Sequence, residues 1–300
     1  MENYVSMFID YLQYERNYSD HTLIAYTNDL LQFTSFIGEK EILEGESFDL
    51  ERIDSDIVRR WMMELMERPL SSASVNRKLS ALQSFFKYLI RRKIVVKHPF
   101  AYLSGPKKAK SLPYFVKEKE MERILDDENR NAGFGDVRDR LVVEMLYETG
   151  IRCSELVGIK NADVDLDAML LKVTGKRNKQ RLIPFAERLK EMIVYYDNVR
   201  AREIATSSSS FFVRKDGRPV SSAIVYYIVK KKLSDIPTLS KRSPHVLRHT
   251  FATSMLNDGA EMNAVKNLLG HSSLASTSVY THVTFEELKK VYNAHPRAKK

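Results

Sequence analysis

Apolar residues at helical spacing organise the first hundred positions. After Ser19 and Asp20, which suit a helix N-terminus, Leu23, Tyr26, Leu30, Phe33 and Ile37 recur at alternating intervals of three and four, which predicts a helix with one buried face. Val75, Leu79, Leu82, Phe86 and Leu89 form a second such stripe. Arg77, Lys78, Lys87, Arg91 and Arg92 fall largely off it and predict a basic outer side. Cations placed this way either form a solvated face or track phosphates.

The helical pattern stops at "SGPKKAKSLPYF", Ser104 to Phe115. Gly105, Pro106 and Pro113 interrupt any helix, and Lys107, Lys108 and Lys110 make the connection cationic. Beyond it, spacing predicts helices around 117–127 and 136–149, the second ending at Gly150 as its cap. In "AMLLKVTGKRNKQRLIPF" two short apolar runs, Met169 to Val173 and Leu182 to Phe185, flank Gly175 and Asn178. A β-hairpin with a basic tip is the expectation, with Phe211 to Val213 as a possible third strand. Helices resume near residue 186. The expected fold is mainly α in two domains: a helical bundle over 1–103, a basic linker over 104–115, and a mostly helical domain with a small antiparallel β-sheet over 116–300.

Composition narrows the partner. The chain has 300 residues, 43% of them hydrophobic, and a formal charge of +9. Residues 1–57 hold 13 acidic and 3 basic side chains, a sum of −10, which leaves +19 for the rest. A body that basic attracts a polyanion, and counterion release from nucleic acid is the usual source of such affinity. No apolar run approaches the roughly 18 residues of a membrane span, and "MENYVSMFID" lacks the regions of a signal peptide, so a cytoplasmic location is expected. The single cysteine, Cys153, excludes an internal disulfide and a paired-cysteine zinc site.

Candidate chemistry gathers in the second half. "SPHVLRHTF" opens a helix at Ser243 and Pro244, with His245 and Arg248 on one face of the first turns, where free backbone donors and the helix dipole favour an anion. His245 and His249 are also spaced to share a zinc ion, but Val246 stands where an H-E-x-x-H hydrolase carries its glutamate. Arg152 lies between "YETG" and "CSEL", near two helix ends, with Glu155 as its natural partner. His271 follows the helix-stopping Gly270, and Tyr280 sits in "GHSSLASTSVYTH", among hydroxyl and imidazole side chains instead of apolar ones. Two arginines, two or three histidines, a hairpin lysine and a tyrosine in a polar segment suit phosphoryl transfer without a metal: cations for the non-bridging oxygens, a proton donor for the leaving oxygen and a hydroxyl nucleophile.

In that order, "TGIRCSEL", "VTGKRNKQRLIP", "HVLRHTFAT" and "LLGHSSLASTSVYTHV" closely resemble the tyrosine site-specific recombinases, the integrase family. "YSDHTLIAYTNDLLQF" and "VNRKLSALQSFFKYL" resemble that family's N-terminal core-binding domain, and "HPRA" at 295–298 its C-terminal tail. The short N-terminus looks most like the Xer group, which resolves chromosome dimers.

The resemblance implies a catalytic C-terminal domain in which Tyr280 is the nucleophile. Arg152 and Arg248 would hold the scissile phosphate, with His271 donating to the same oxygens. His245 would assist proton removal from Tyr280, and Lys176 would protonate the departing 5′ oxygen. Arg177 stands after Lys176 where the family often has glycine. The resemblance implies no cofactor, no metal and no ATP, double-stranded DNA as the target, and a homo- or hetero-tetramer on two DNA sites. A second recombinase or a cell-division DNA translocase could cooperate. Phe285, Leu288, Val291 and Tyr292 share one helical side, which could dock on a neighbouring subunit or on its own domain. The alternatives are an integrase or invertase of mobile DNA, a type IB topoisomerase, and a DNA-binding regulator without catalysis.

Overall fold

Four helices bury the stripes of the N-terminal half: α1 (Glu2–Asp10), which runs on through a π-helical turn (Tyr11–Glu15), α2 (Asp20–Lys40), α3 (Ser55–Glu67) and α4 (Ser72–Arg91). This computed structural model describes residues 1–40, 50–100, 103–107, 114–126, 133–175, 178–237, 239–270, 292 and 295–299. The chain divides into two units, Met1–Ser111 and Leu112–Lys300. In the first, the Asp54 carboxylate accepts hydrogen bonds from the Asp56 and Ile57 amides and starts α3, while the Ser71 hydroxyl does the same for α4 through Ser74. Leu30, Phe33, Leu82, Phe86 and Leu89 are fully buried, as the spacing predicts. Trp61 closes the core from α3, its ring edge-on to Phe33 with 4.9 Å between the ring centres.

One cation does not follow the expected basic outer side. Lys78 is 5% exposed; its ammonium donates to the Asp29 carboxylate at 2.9 Å and to the Gln32 side chain at 2.6 Å, and Arg77 pairs with the other Asp29 oxygen. Burial of this charge is tolerable because the acid on α2 meets it, a pairing across 49 residues that spacing on one helix cannot reveal.

The second unit is built around α6. Its elements are α5 (Glu118–Leu125), α6 (Phe134–Thr149), α7 (Cys153–Val157), β1 (Val164–Asp165), β2 (Leu170–Thr174), β3 (Gln180–Pro184), α8 (Glu187–Glu203), α9 (Ser222–Lys232), α10 (Pro244–Asn257) and α11 (Met262–Leu269). The sheet is antiparallel in the order β1-β2-β3, with Leu171 opposite Ile183 and Val173 opposite Arg181. Its third strand is β1 and not Phe211 to Val213, of which only Val213 forms an isolated bridge, to Pro219. The reason lies in burial: Phe211, Phe212 and Val213 are 2%, 2% and 0% exposed. Three consecutive buried side chains plug a core from both sides and lack the alternation of a half-exposed strand. The Phe211 carbonyl is also occupied, by the Tyr196 hydroxyl and the Arg200 guanidinium of α8. Among the described residues no helix is long and apolar enough to cross a membrane.

The end of the chain packs on its own unit. The His295 ring is wholly buried against Tyr147 (5.0 Å, edge-on), Phe251 (5.5 Å, stacked) and Tyr292 (5.9 Å, stacked). Arg297 inserts between helix α6 and α5, donating to Glu144 at 2.5 Å and Asp126 at 2.6 Å, with Glu148 at 3.6 Å. Phe285, Leu288 and Val291 lie outside the described residues.

This cluster predicts a pH dependence. Burial, and then the neighbouring Glu144, raise the Glu148 carboxyl to about 8, while burial and Arg297 lower His295 to about 3. The histidine adds stability as pH rises from 3 to its unfolded value of about 6.5 and contributes nothing further above it. Glu148 costs stability as pH rises from its unfolded value of about 4.3 to 8, because only the unfolded chain ionises freely in that window. Between about pH 6.5 and 8 the histidine no longer contributes while Glu148 still costs stability, with its neighbour Glu144 raised by burial in the same direction, so the unfolding midpoint of the full chain is expected to fall. Glu148→Gln should flatten that slope in a thermal melt series.

Candidate functional site

The site begins where α6 stops. Gly150 takes the left-handed conformation, φ +61°, and its amide closes the helix on the Leu146 carbonyl. A Cβ there would lie 2.4 Å from the Phe251 ring of α10, so this turn needs glycine for its backbone and for its space. Two residues later Arg152 occupies the N-cap of α7. The Glu155 carboxylate, three positions on, accepts the Arg152 amide at 2.7 Å and its Nη1 at 2.8 Å. A short turn and the N-cap position thus place the Arg152 guanidinium against Glu155 in the first turn of α7.

Arg248 arrives from α10. Ser243 holds the N-cap position and Pro244 the first helical one, as the sequence predicts. His245 is exposed in the first turn, and Arg248 and His249 are half-buried. Arg248 donates Nη1 to the Gly150 carbonyl and Nη2 to the Leu269 carbonyl, both at 2.6 Å. Arg152 donates Nη2 to the next carbonyl, Gly270, at 3.0 Å. The two guanidiniums therefore share the C-terminal end of α11, whose carbonyls carry the negative end of the helix dipole. Each uses two of its five N–H groups on described partners.

A third arginine completes the cluster. Arg181 of β3 lies 9% exposed and donates to both Glu155 oxygens, at 2.8 and 2.9 Å, and to the Leu268 carbonyl at 2.8 Å. Leu268, Leu269 and Gly270 are thus each held by a different arginine. Arg181 is not among the candidates that the motifs single out. Its signal was present: Ile183 is fully buried, and a strand's period of two puts residue 181 on the same inward face.

The charges are arranged for an anion. Burial alone would raise the Glu155 carboxyl; hydrogen bonds from Arg181 and Arg152 outweigh it and hold the group at about 2. Burial, followed by the like charge of Arg152, lowers Arg248 to about 10, with Glu155 opposing. One carboxylate thus faces three guanidiniums, a net surplus of two positive charges on a half-buried surface. A phosphodiester placed there would relieve the repulsion between Arg152 and Arg248 and accept bidentate hydrogen bonds from them. Lys176, His271 and Tyr280 lie outside the described residues. Lys176 falls between β2 and β3, His271 directly follows Gly270 at the end of α11, and Tyr280 lies ten residues past that glycine. Among the described residues no group of three or more His, Cys, Asp or Glu side chains could hold a metal ion.

Comparison with known proteins gives the same picture for each unit. Residues 114–287 match the phage integrase family, and residues 5–93 match the phage integrase N-terminal SAM-like domain. The chain is 40% identical over 301 residues to the tyrosine recombinase XerC of Staphylococcus saprophyticus, covering 100% of this chain and 99% of that one. It is 40% identical to the XerC of Listeria innocua over 97% of both chains. Among solved structures, the fold is similar to XerH recombinase bound to a palindromic difH substrate (TM-score 0.69, 21% identity, 93% of this chain and 81% of that one). It is also similar to the Tn1549 transposon integrase bound to transposon right end DNA (TM-score 0.71, 18% identity, 96% and 97%). The ordered motifs, a helical N-terminal unit, and a second unit whose arginines converge on one helix end belong together: this chain is a member of the phage integrase family, a tyrosine recombinase that breaks and rejoins DNA strands.

Proposed function

We propose that the chain carries out Xer-type site-specific recombination in the cytoplasm, with resolution of chromosome dimers as its task. The observation that carries the chemical part is the pair Arg152 and Arg248, anchored on the successive carbonyls Gly270 and Leu269, each with N–H groups that no described partner takes. These two hold the scissile phosphate and offset the charge that grows on its oxygens in the transition state. Tyr280 attacks the phosphorus, forming a 3′ phosphotyrosyl bond and displacing the 5′ oxygen, which Lys176 protonates as it departs to give a 5′ hydroxyl. His271 donates to a non-bridging oxygen. His245 draws the proton from the phenol, whose ordinary pKa near 10 calls for help at neutral pH. The freed hydroxyl of a partner duplex then attacks the phosphotyrosyl bond and returns the tyrosine. One ester replaces another at each step, so strand exchange requires no ATP.

In this reading residues 1–103 bind the DNA duplex, 104–115 link them to the catalytic unit, and four protomers act in pairs on two sites. The full-length likeness to XerC recombinases supports the Xer role over integration of mobile DNA. The test is recombination of two copies of the chromosomal site to which the protein binds in cells. Exchange at a single locus near the replication terminus is the expected result; binding at the ends of a mobile element would replace dimer resolution with integration. Relaxation of supercoils without exchange between sites would place the chain with the type IB topoisomerases.

A further inference from the structure

We propose that Arg181 is a positioning residue for the reaction, holding Arg152 in place through Glu155 and fixing the helix end on which Arg152 and Arg248 rest. This builds on the assignment of those two arginines to the scissile phosphate. Glu155 Oε1 accepts from Arg152 Nη1 and Arg181 Nη1, both at 2.8 Å; Oε2 accepts from the Arg152 amide at 2.7 Å and Arg181 Nη2 at 2.9 Å. Arg181 supplies half of the donors that keep this carboxylate from turning. Without it the 1%-exposed carboxylate retains, among the described residues, one partner, Arg152, and would draw that guanidinium toward itself and away from an incoming phosphate.

Its third contact reaches the other arginine. Arg181 Nε binds the Leu268 carbonyl, one residue before the carbonyl that holds Arg248 and two before the one that holds Arg152. The guanidinium therefore sets the height of the α11 terminus against the sheet. The chain closes on it at two glycines. A Cβ at Gly270 would lie 3.1 Å from Arg181 Nη1, and one at Gly175 would lie 3.2 Å from Glu155 Oε1. Gly175 directly precedes Lys176, and Gly270 directly precedes His271. The same ion pair thus lies under the bases of the two segments that carry the remaining cationic candidates. With 9% of its side chain exposed and its contacts turned inward, Arg181 acts on the reaction only through these neighbours.

Loss of a pair that merely stabilises the fold would lower the melting point and leave chemistry alone; loss of a positioning pair changes the rate constant at saturating DNA and its pH dependence. The test uses the full chain and a nicked duplex that traps the covalent intermediate, measuring single-turnover cleavage from pH 5 to 9 and DNA affinity by titration. In Arg181→Met, cleavage is expected to fall about a hundredfold, the usual consequence of a displacement near 1 Å, with affinity unchanged within about threefold. Arg152 and Arg248 still face Glu155, but burial is no longer offset by the Arg181 hydrogen bonds. The acid limb of the rate profile should therefore move toward neutral pH. Arg181→Lys, which keeps the charge but not the fork, should recover part of the rate. Should Arg181→Met fail to fold by circular dichroism, the lysine variant carries the test, with a shifted acid limb as its expected sign. Cleavage within threefold of the parent and an unmoved limb in the folded variant would overturn the proposal. Arg152→Ala separates the two levels: if it cleaves normally, the phosphate assignment fails; if it is inactive while Arg181→Met is normal, only the positioning role fails.

Discussion

Tyr280→Phe is expected to abolish strand cleavage, a loss of at least about ten-thousandfold, while leaving DNA affinity within about threefold of the parent. The substitution deletes one oxygen and keeps the ring, so packing and charge are nearly unchanged. It removes the atom that must bond to phosphorus. Water offers no substitute, because a hydrolysed strand could not be rejoined. The measurement is a denaturing gel of the protein with a nicked duplex: the slow covalent band of the parent should be absent. A persistent band would assign the nucleophile to another of the 15 tyrosines, and peptide mass mapping of the adduct would identify it.

Arg248→Ala is expected to lower cleavage by about a thousandfold, equivalent to about 4 kcal/mol of transition-state stabilisation. Part of this comes from the phosphate itself, which loses a bidentate partner. Part comes from the Gly150 and Leu269 carbonyls, which the guanidinium ties together across 119 residues of chain. Lysine would restore the charge but reach only one of these groups at a time, so Arg248→Lys should regain less than a tenth of the parent rate. With its acidity at about 10, set by burial and then by Arg152, the parent side chain stays cationic up to about pH 9. The deficit of the alanine variant should therefore be constant from pH 6 to 9 in single-turnover cleavage. A deficit below tenfold would remove Arg248 from the phosphate site.

Two kinds of information separate in these results. Helices α2 and α4 were legible because a buried face leaves a period of 3.6 in the chain, and the end of α6 and the β2–β3 hairpin because Gly150, Gly175 and Asn178 interrupt the apolar runs. The family was legible because its chemistry needs certain residue types in a certain order. Lys78 was misread as an outer cation: its partner Asp29 lies on another helix, and one helix's periodicity carries no information about what faces it. Phe211 to Val213 was misread as a strand because apolar content alone does not distinguish a strand from a core plug.

By itself, then, the order of residues determined the elements, their buried faces, the basic character that calls for a polyanion, and the inventory of groups able to transfer a phosphoryl ester. Only the folded chain decided which of those groups meet. Arg152, Arg181 and Arg248 come from three different elements and converge on Leu268, Leu269 and Gly270, while Arg297 reaches Glu144 across 153 residues. The physical reason is the same in each case: a buried charge is stable only beside its counter-charge or a hydrogen-bonding partner, and that neighbour is chosen by packing in three dimensions, where separation along the sequence has no bearing.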